Sequence, residues 1–170
     1  SMGKAIIKEP YALDTFPTIS ALLDKLNADR GLNLNSCLIS CMRDGKSSLR
    51  LHCDDEDNMD NTQPIVVLTV GANRRVDLLG AYQKSTEEPK VSFVPKSGEA
   101  YSMLPGCQDV FKHRILGDKH CTQARYSLSF RCMKVQPPPP SAVPQLQPVV
   151  SPWGPPPRAP APPLLVAPLI

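Results

Sequence analysis

Residues 124–133 alternate so that Tyr126, Leu128, Phe130 and Cys132 share one face of a strand and Arg125, Ser127, Ser129 and Arg131 share the other. The apolar set belongs in a core. The opposite face holds two guanidiniums and two hydroxyls. On a solvated surface that is an ordinary arrangement. If the face is buried it is expensive, because unpaired charge is costly away from water. A dicarboxylate would answer that cost, since arginine grips a carboxylate through two parallel hydrogen bonds.

A second stretch, Ser48-Leu49-Arg50-Leu51-His52-Cys53-Asp54-Asp55-Glu56, carries the chemistry. Its Leu/Arg/Leu alternation delivers a histidine and, two residues later, an aspartate. On an extended strand these project side by side, one nitrogen and one oxygen ligand. That is two thirds of the two-histidine, one-carboxylate set that holds non-haem Fe(II) and leaves positions open. The chain has three histidines, so the third ligand is His113 or His120. His120 sits in the polar loop Gly117–Gln123, whereas His113 lies beside the apolar residues Val110, Phe111 and Ile115. A strand places a side chain more reproducibly than a loop, which selects His113. A single histidine is most often a surface or core residue. The joint pattern with the arginine face argues for a metal.

The remaining chain reads as short strands around one early helix. Residues 3–13 give a weak strand or an extended arm. Asp14-Thr15 offers an N-cap, and Ile19, Leu22, Leu23 and Leu26 recur at helical spacing until Arg30-Gly31. Strands are expected at 34–42, 48–52, 64–71, 74–79, 90–94, 100–104, 111–116 and 124–133, with Asp44-Gly45 marking a turn. The pattern predicts a mainly β domain over 14–135, a sandwich or barrel with one or two covering helices. From Gln136 to Ile170 proline dominates and Arg158 is the one charged residue, which predicts a disordered or polyproline-II linker. Ser1-Met2 reads as an expression scar. No apolar run approaches the roughly 18–20 residues needed to span a membrane. The six cysteines (Cys37, Cys41, Cys53, Cys107, Cys121 and Cys132) show no paired CxxC spacing and no signal peptide is legible, so reduced thiols are expected. A net charge of +3 permits nucleic acid as a partner without arguing for it.

The ordered set His52-x-Asp54, His113, Arg125-x-Ser127-x-Ser129-x-Arg131 resembles the AlkB-type Fe(II)/2-oxoglutarate dioxygenases. With Asn35-Ser36-Cys37-Leu38-Ile39, Asp44-Gly45-Lys46-Ser47-Ser48 and His52-Cys53-Asp54-Asp55-Glu56, it is most similar to the AlkB domains in replicase polyproteins of plant positive-strand RNA viruses. The resemblance runs from about residue 14 to 134. It implies a double-stranded β-helix, or jelly-roll, core. It implies iron on His52, Asp54 and His113, and 2-oxoglutarate and O2 as cosubstrates. Arg125 would take the far carboxylate of 2-oxoglutarate, Arg131 would steady the iron carboxylate or the cosubstrate, and Glu56 would contact a methylated base. Two positions depart from the family, where an Asn and a Tyr usually serve the cosubstrate. Ser40 and Met42 stand there, and methionine cannot replace a phenol hydroxyl. Ser127 stands where an Asn is frequent. The implied activity is oxidative demethylation of single-stranded RNA, with DNA possible as substrate, at 1-methyladenine, 3-methylcytosine or N6-methyladenine. The setting would be a viral replication complex in the host cytoplasm, beside other domains of a parent polyprotein.

Three other readings stand beside this one. A protein hydroxylase would use the same fold. A degenerate dioxygenase would only bind RNA. A zinc module would use Cys37, Cys41, His52 and Cys53. Cys37 and Cys41 on one strand would lie ~13 Å apart. Zinc at ~2.3 Å per Zn–S bond cannot bridge that without a turn between them.

Overall fold

The alternating and β-branched runs form strands, and the strands form two facing sheets. A computed structural model describes residues 11–134 and the strand at 165–169. In chain order the strands are β1 (Tyr11–Ala12), β2 (Ser36–Met42), β3 (Leu49–His52), β4 (Ile65–Gly71), β5 (Val76–Gly80), β6 (Val91–Phe93), β7 (Ala100–Met103), β8 (Phe111–Ile115), β9 (Arg125–Arg131) and β10 (Leu165–Leu169). The helices are α1 (Pro17–Arg30) and the single turn α2 (Cys107–Val110). One sheet has the order β1-β10-β2-β9-β4-β7 and the other β3-β8-β5-β6. The antiparallel strands β2-β9-β4-β7 face the antiparallel strands β3-β8-β5-β6, which is the expected jelly-roll core.

Helix α1 begins where Pro17 fills the first turn at no hydrogen-bond cost and ends at Gly31, whose φ of 62° is left-handed. Neither Asp14 nor Thr15 caps it. Both lie in a 3-10 turn at Leu13–Thr15, and Phe16 occupies the N-cap with no side-chain bond. Ile19, Leu22, Leu23 and Leu26 pack with Leu13 and Leu34 against Cys37, Val66 and Phe130 on the outer face of the larger sheet. Asn27 ties the helix to the approach to β2, accepting from the Leu34 amide and donating to the Leu34 carbonyl. The apolar face of β9 is thereby covered, and its arginine face is turned into the gap between the sheets.

Gly45 shows how closely the loops pack. A Cβ there would meet the Asp118 carbonyl oxygen at 1.6 Å. The expected linker over 136–170 needs correction at one point. Residues 165–169 form β10, which pairs in parallel with the edge of β2. Pro168 lies in the part of β10 that has β2 alone as neighbour, where a missing N–H is tolerated on the open side. The rest of that expectation, 136–164 and 170, lies outside the described residues, as do residues 1–10. All six cysteines are free. Among the described residues no helix is long and apolar enough to cross a membrane.

The smaller sheet has its own buried charge. Asp77 on β5 is fully buried and accepts from Ser92 Oγ at 2.6 Å, Arg75 Nε at 2.9 Å and Arg114 Nε at 3.0 Å. Burial pushes the Asp77 carboxyl up, but the Ser92 hydroxyl and the two guanidiniums together hold it below its ordinary value. A carboxylate lowered on folding contributes stability that is fully present above its unfolded pKa and is lost as pH falls through the folded one. Asp77→Asn is therefore expected to cost about 3 kcal/mol near neutral pH, because it leaves Arg114 buried without a counter-charge. In urea unfolding the gap to wild type should shrink as the pH falls below the ordinary carboxylate range and through the lowered pKa of the folded state, where the wild-type carboxyl is itself protonated.

Candidate metal centre

Strand β3 ends at His52, which pairs in register with His113 on β8. The chain leaves the sheet directly after His52, and Asp54 turns back beside both histidines. His52 Nε2 lies 3.4 Å from Asp54 Oδ1, and His113 Nε2 lies 4.0 Å from Asp54 Oδ2. One ligand atom from each residue falls within 4.8 Å of the other two. Among the described residues this is the one such group of three or more His, Cys, Asp or Glu side chains. His120 is exposed in its loop and takes no part. The four-residue zinc alternative fails, because Cys37 is buried under α1 on the outer face of the larger sheet while His52 belongs to the smaller one.

The surroundings prepare these atoms to bind a cation. His52 Nδ1 is 2.8 Å from the Arg50 carbonyl, so it donates there and Nε2 is the atom aimed at Asp54. Burial alone would lower His52, but Asp54 and the Arg50 carbonyl raise it above its usual value. His113 is deeper, and burial brings it down to about 4, so its imidazole is neutral and its lone pair free. Burial would raise Asp54, yet His52, Arg131 and His113 hold it below the usual carboxylate range. Asp54 is tied down at its side chain and at its backbone. Its Oδ2 accepts from Arg131 Nη2 at 3.0 Å, and its backbone amide donates to Gln108 Oε1 at 3.0 Å. Gln108 belongs to α2, a turn absent from the sequence expectation, and its Nε2 rests on Met103 Sδ.

From this cluster a cavity of about 290 Å³ runs between the sheets, lined in part by Ser40, Met42, Tyr101, Ser127 and Ser129. Cross-strand register explains the grouping. Met42, Ser40, Leu38 and Ser36 of β2 pair with Arg125, Ser127, Ser129 and Arg131 of β9, so all eight point into the same gap. Arg131 stands at the metal end, bound to Asp54 and, at 2.6 Å, to Glu56 Oε1. Glu56 is half exposed and lines the cavity. Arg125 stands at the other end of the same β9 face and is fully buried. It donates to Thr69 Oγ1 at 3.1 Å and to the Arg74 carbonyl at 3.3 Å, and its Nε has no partner. No carboxylate of the described residues forms an ion pair with it. The Nε of Arg131 is also buried and unpartnered.

Three neutral or anionic ligands at the mouth of a cavity, and a guanidinium without a carboxylate partner on the β9 face that forms its wall, define a class. This is a jelly-roll protein built to hold a divalent metal by two histidines and a carboxylate, together with an acidic small molecule that chelates it. The comparisons agree. The model of the 2OG-Fe(II) oxygenase superfamily matches residues 4–131, and the chain belongs to that superfamily. Its cofactors are accordingly Fe(II) and 2-oxoglutarate, and the His52, Asp54 and His113 cluster has the donor set such iron requires. The chain is 30% identical over 132 residues to an uncharacterized protein of Acanthamoeba polyphaga mimivirus, covering 77% of this chain and 64% of that one. It is 28% identical over 129 residues to the alpha-ketoglutarate-dependent dioxygenase alkB homolog 3 of Rattus norvegicus, covering 71% of this chain and 43% of the relative. The Homo sapiens protein of the same name is 27% identical over 129 residues, with 44% of its length covered. The chain thus spans less than two thirds of these relatives.

Four contributors escaped the sequence reading. Gln108, Thr69 and Tyr101 carry no motif of their own. Arg74 carries none either, yet it is buried and donates to the carbonyls of Asp44, Ser47 and Leu116. Removing Asp54 with Asp54→Ala should abolish stoichiometric binding of Mn(II), measured by calorimetry as a stand-in for iron. Gln108→Ala should keep the ligands and weaken the metal by about 10–100-fold, the usual cost of losing a group that orients a ligand.

Proposed function

We propose that this chain is an oxidative demethylase of N-methylated bases in single-stranded RNA, at 1-methyladenine, 3-methylcytosine or N6-methyladenine. One observation carries the reading. The cavity at His52, Asp54 and His113 is lined by Ser127, Ser129 and Arg131 of the β9 face that also carries Arg125, a buried charge with no ion-pair partner among the described residues. A molecule with a chelating 2-oxo acid at one end and a carboxylate at the other satisfies both ends at once. The nucleic-acid part rests on the resemblance to AlkB domains and on the similarity to alkB homolog 3.

When bound, iron and 2-oxoglutarate supply the oxidation, in which O2 is consumed, 2-oxoglutarate leaves as succinate and carbon dioxide, and the methyl carbon leaves as formaldehyde. The protein's part is positional. His52, Asp54 and His113 would hold the metal beside the cavity. Arg131 fixes Asp54 and carries Glu56 to the cavity mouth, where a carboxylate can accept hydrogen bonds from the amino group of a base. Arg125 would take the far carboxylate of the cosubstrate, and Ser127 and Ser40, which line the cavity, would offer it hydroxyl hydrogen bonds. No side chain is needed as a general base for C–H cleavage.

By the same resemblance, we place the chain in the replicase polyprotein of an RNA virus. It would act in the host cytoplasm within a replication complex, tethered to other domains by the proline-rich stretch. The test is turnover with Fe(II), ascorbate, 2-oxoglutarate and a short RNA carrying 1-methyladenine. Succinate and unmethylated base should form together and both should vanish in His52→Ala. Succinate without demethylation, with a peptide hydroxylated instead, would move the reading to the protein hydroxylase. Neither product from folded, metal-loaded protein would move it to the RNA-binding module.

A further inference from the structure

The three most exposed large apolar side chains among the described residues are Tyr82, Leu104 and Val110, at 101%, 67% and 55%. All three stand around α2, at the metal end of the jelly roll. Leu104 follows Met103, which lines the metal cavity, and its carbonyl accepts from the Cys107 amide at 2.9 Å where α2 opens. Val110 closes α2, and its carbonyl accepts from the Ala81 amide at 2.9 Å, which places Tyr82 one residue further on. Between them Gln108 accepts from the Asp54 amide. A single exposed apolar residue needs no explanation. Three gathered on the rim of a cavity mark a surface that meets something.

The loop that carries Tyr82 is braced. Gln83 Oε1 accepts from the Gly80 amide at 2.7 Å, the Gln83 amide donates back to the Gly80 carbonyl at 2.9 Å, and Gln83 Nε2 donates to the Glu88 carbonyl at 3.1 Å. The Lys84 amide donates to Glu87 Oε1 at 2.9 Å. Arg114, whose Nε is held by buried Asp77, reaches across to the Ser85 carbonyl. An aromatic ring on a fixed loop loses little freedom when it is covered, which favours binding. The charge on the rim bears on what covers it. The chain after Asp54 exposes Asp55, Glu56 and Asp57, so that side of the mouth repels phosphates. A nucleic-acid strand held here is gripped by its bases, and every base has a flat face that stacks on an aromatic ring. Helix α2 is a single turn of four residues, about 6 Å along its axis. A strand whose target base enters beside Glu56 therefore carries its neighbouring base over α2 towards Val110 and Tyr82.

We propose that Tyr82 stacks on the base next to the methylated one, with Val110 and Leu104 completing an apolar rim under the strand. This rests on the demethylase reading and names the contact that holds the neighbouring nucleotide. Stacking reads no base edge, so the contact accepts any neighbour and favours the larger faces of purines. It gives the protein a grip on a single strand that does not depend on a basic groove.

The test is RNA binding, independent of turnover. The full chain is loaded with Mn(II) in place of iron and titrated, by fluorescence anisotropy, into two labelled pentanucleotides. Both carry 1-methyladenine at the centre. One has adenines on either side of it and the other has abasic sites, which keep the phosphates and remove the faces to be stacked. Wild type should bind the adenine-flanked RNA more tightly. Tyr82→Ala should weaken that RNA by about tenfold, the usual effect of removing a stacking aromatic, and Tyr82→Phe should bind it as wild type does. Affinity for the abasic-flanked RNA should be the same in all three proteins, which also shows that the variants fold. Equal affinity of wild type and Tyr82→Ala for the adenine-flanked RNA, or an equal loss on both RNAs, would overturn the role of Tyr82 while leaving the demethylase reading intact. A wild type that binds neither RNA, whether or not it takes a lysine-rich peptide in their place, would overturn the demethylase reading and the inference with it.

Discussion

Arg125 is a cation that the described protein does not neutralise. It is fully buried, its Nε has no acceptor, and its two bonds go to a hydroxyl and a carbonyl. Asp77 shows the contrast within one molecule. That buried carboxylate is met by two guanidiniums and a hydroxyl, so its charge is settled on folding. A buried charge left open is costly unless something supplied from outside completes it. The rest of the fold can be understood as what is needed to keep that charge dry and to aim it along a cavity at three metal-binding atoms.

The two faces of β9 link this requirement to the hydrophobic core. Phe130 and Leu128 belong to the cluster under α1. Every second residue then points the other way, between the sheets, and brings Arg125 and Arg131 to opposite ends of one strand face, with Ser127, Ser129 and Arg131 lining the cavity. Pairing with β2 on one side and β4 on the other fixes the register, so a slip by one residue would exchange the arginine face for the apolar one. The same geometry places His52 opposite His113 across β3 and β8. The metal end and the acid end are thus set by ordinary strand pairing in two separate sheets.

Much of this was legible in the chain itself. Alternation in β9, the β-branched run of β4 and the helical spacing of Ile19, Leu22, Leu23 and Leu26 are local patterns, and each became the element they suggest. His52, Asp54 and His113 could be grouped because two share a short motif and the third sits on a strand. Tyr101 and Thr69 could not be found that way. Their importance comes from lying across the gap from β9, which depends on pairings between strands distant in sequence. Gln108 depends on α2, a single turn too short to leave a periodic signal. Asp14 and Thr15 suggested a cap by residue type, but Pro17 starts the helix later and the chain before it is spent on a 3-10 turn. The proline content of 136–170 argued against any ladder, yet the five residues of β10 pair along an edge where backbone groups were open.

The most direct test of the account is the stability of Arg125→Met, measured by urea unfolding of the full chain with and without Mn(II) and 2-oxoglutarate. If Arg125 is an open charge awaiting an anion, a similar-sized apolar residue should leave the ligand-free protein at least as stable as wild type. Added to the Mn(II)-loaded proteins, 2-oxoglutarate should then stabilise wild type by about 2.7 kcal/mol at a hundredfold excess over Kd, and stabilise the variant distinctly less at the same concentration. A variant that is several kcal/mol less stable without ligands, and that gains as much from 2-oxoglutarate as wild type does, would show that Arg125 is a structural residue and contradict the account.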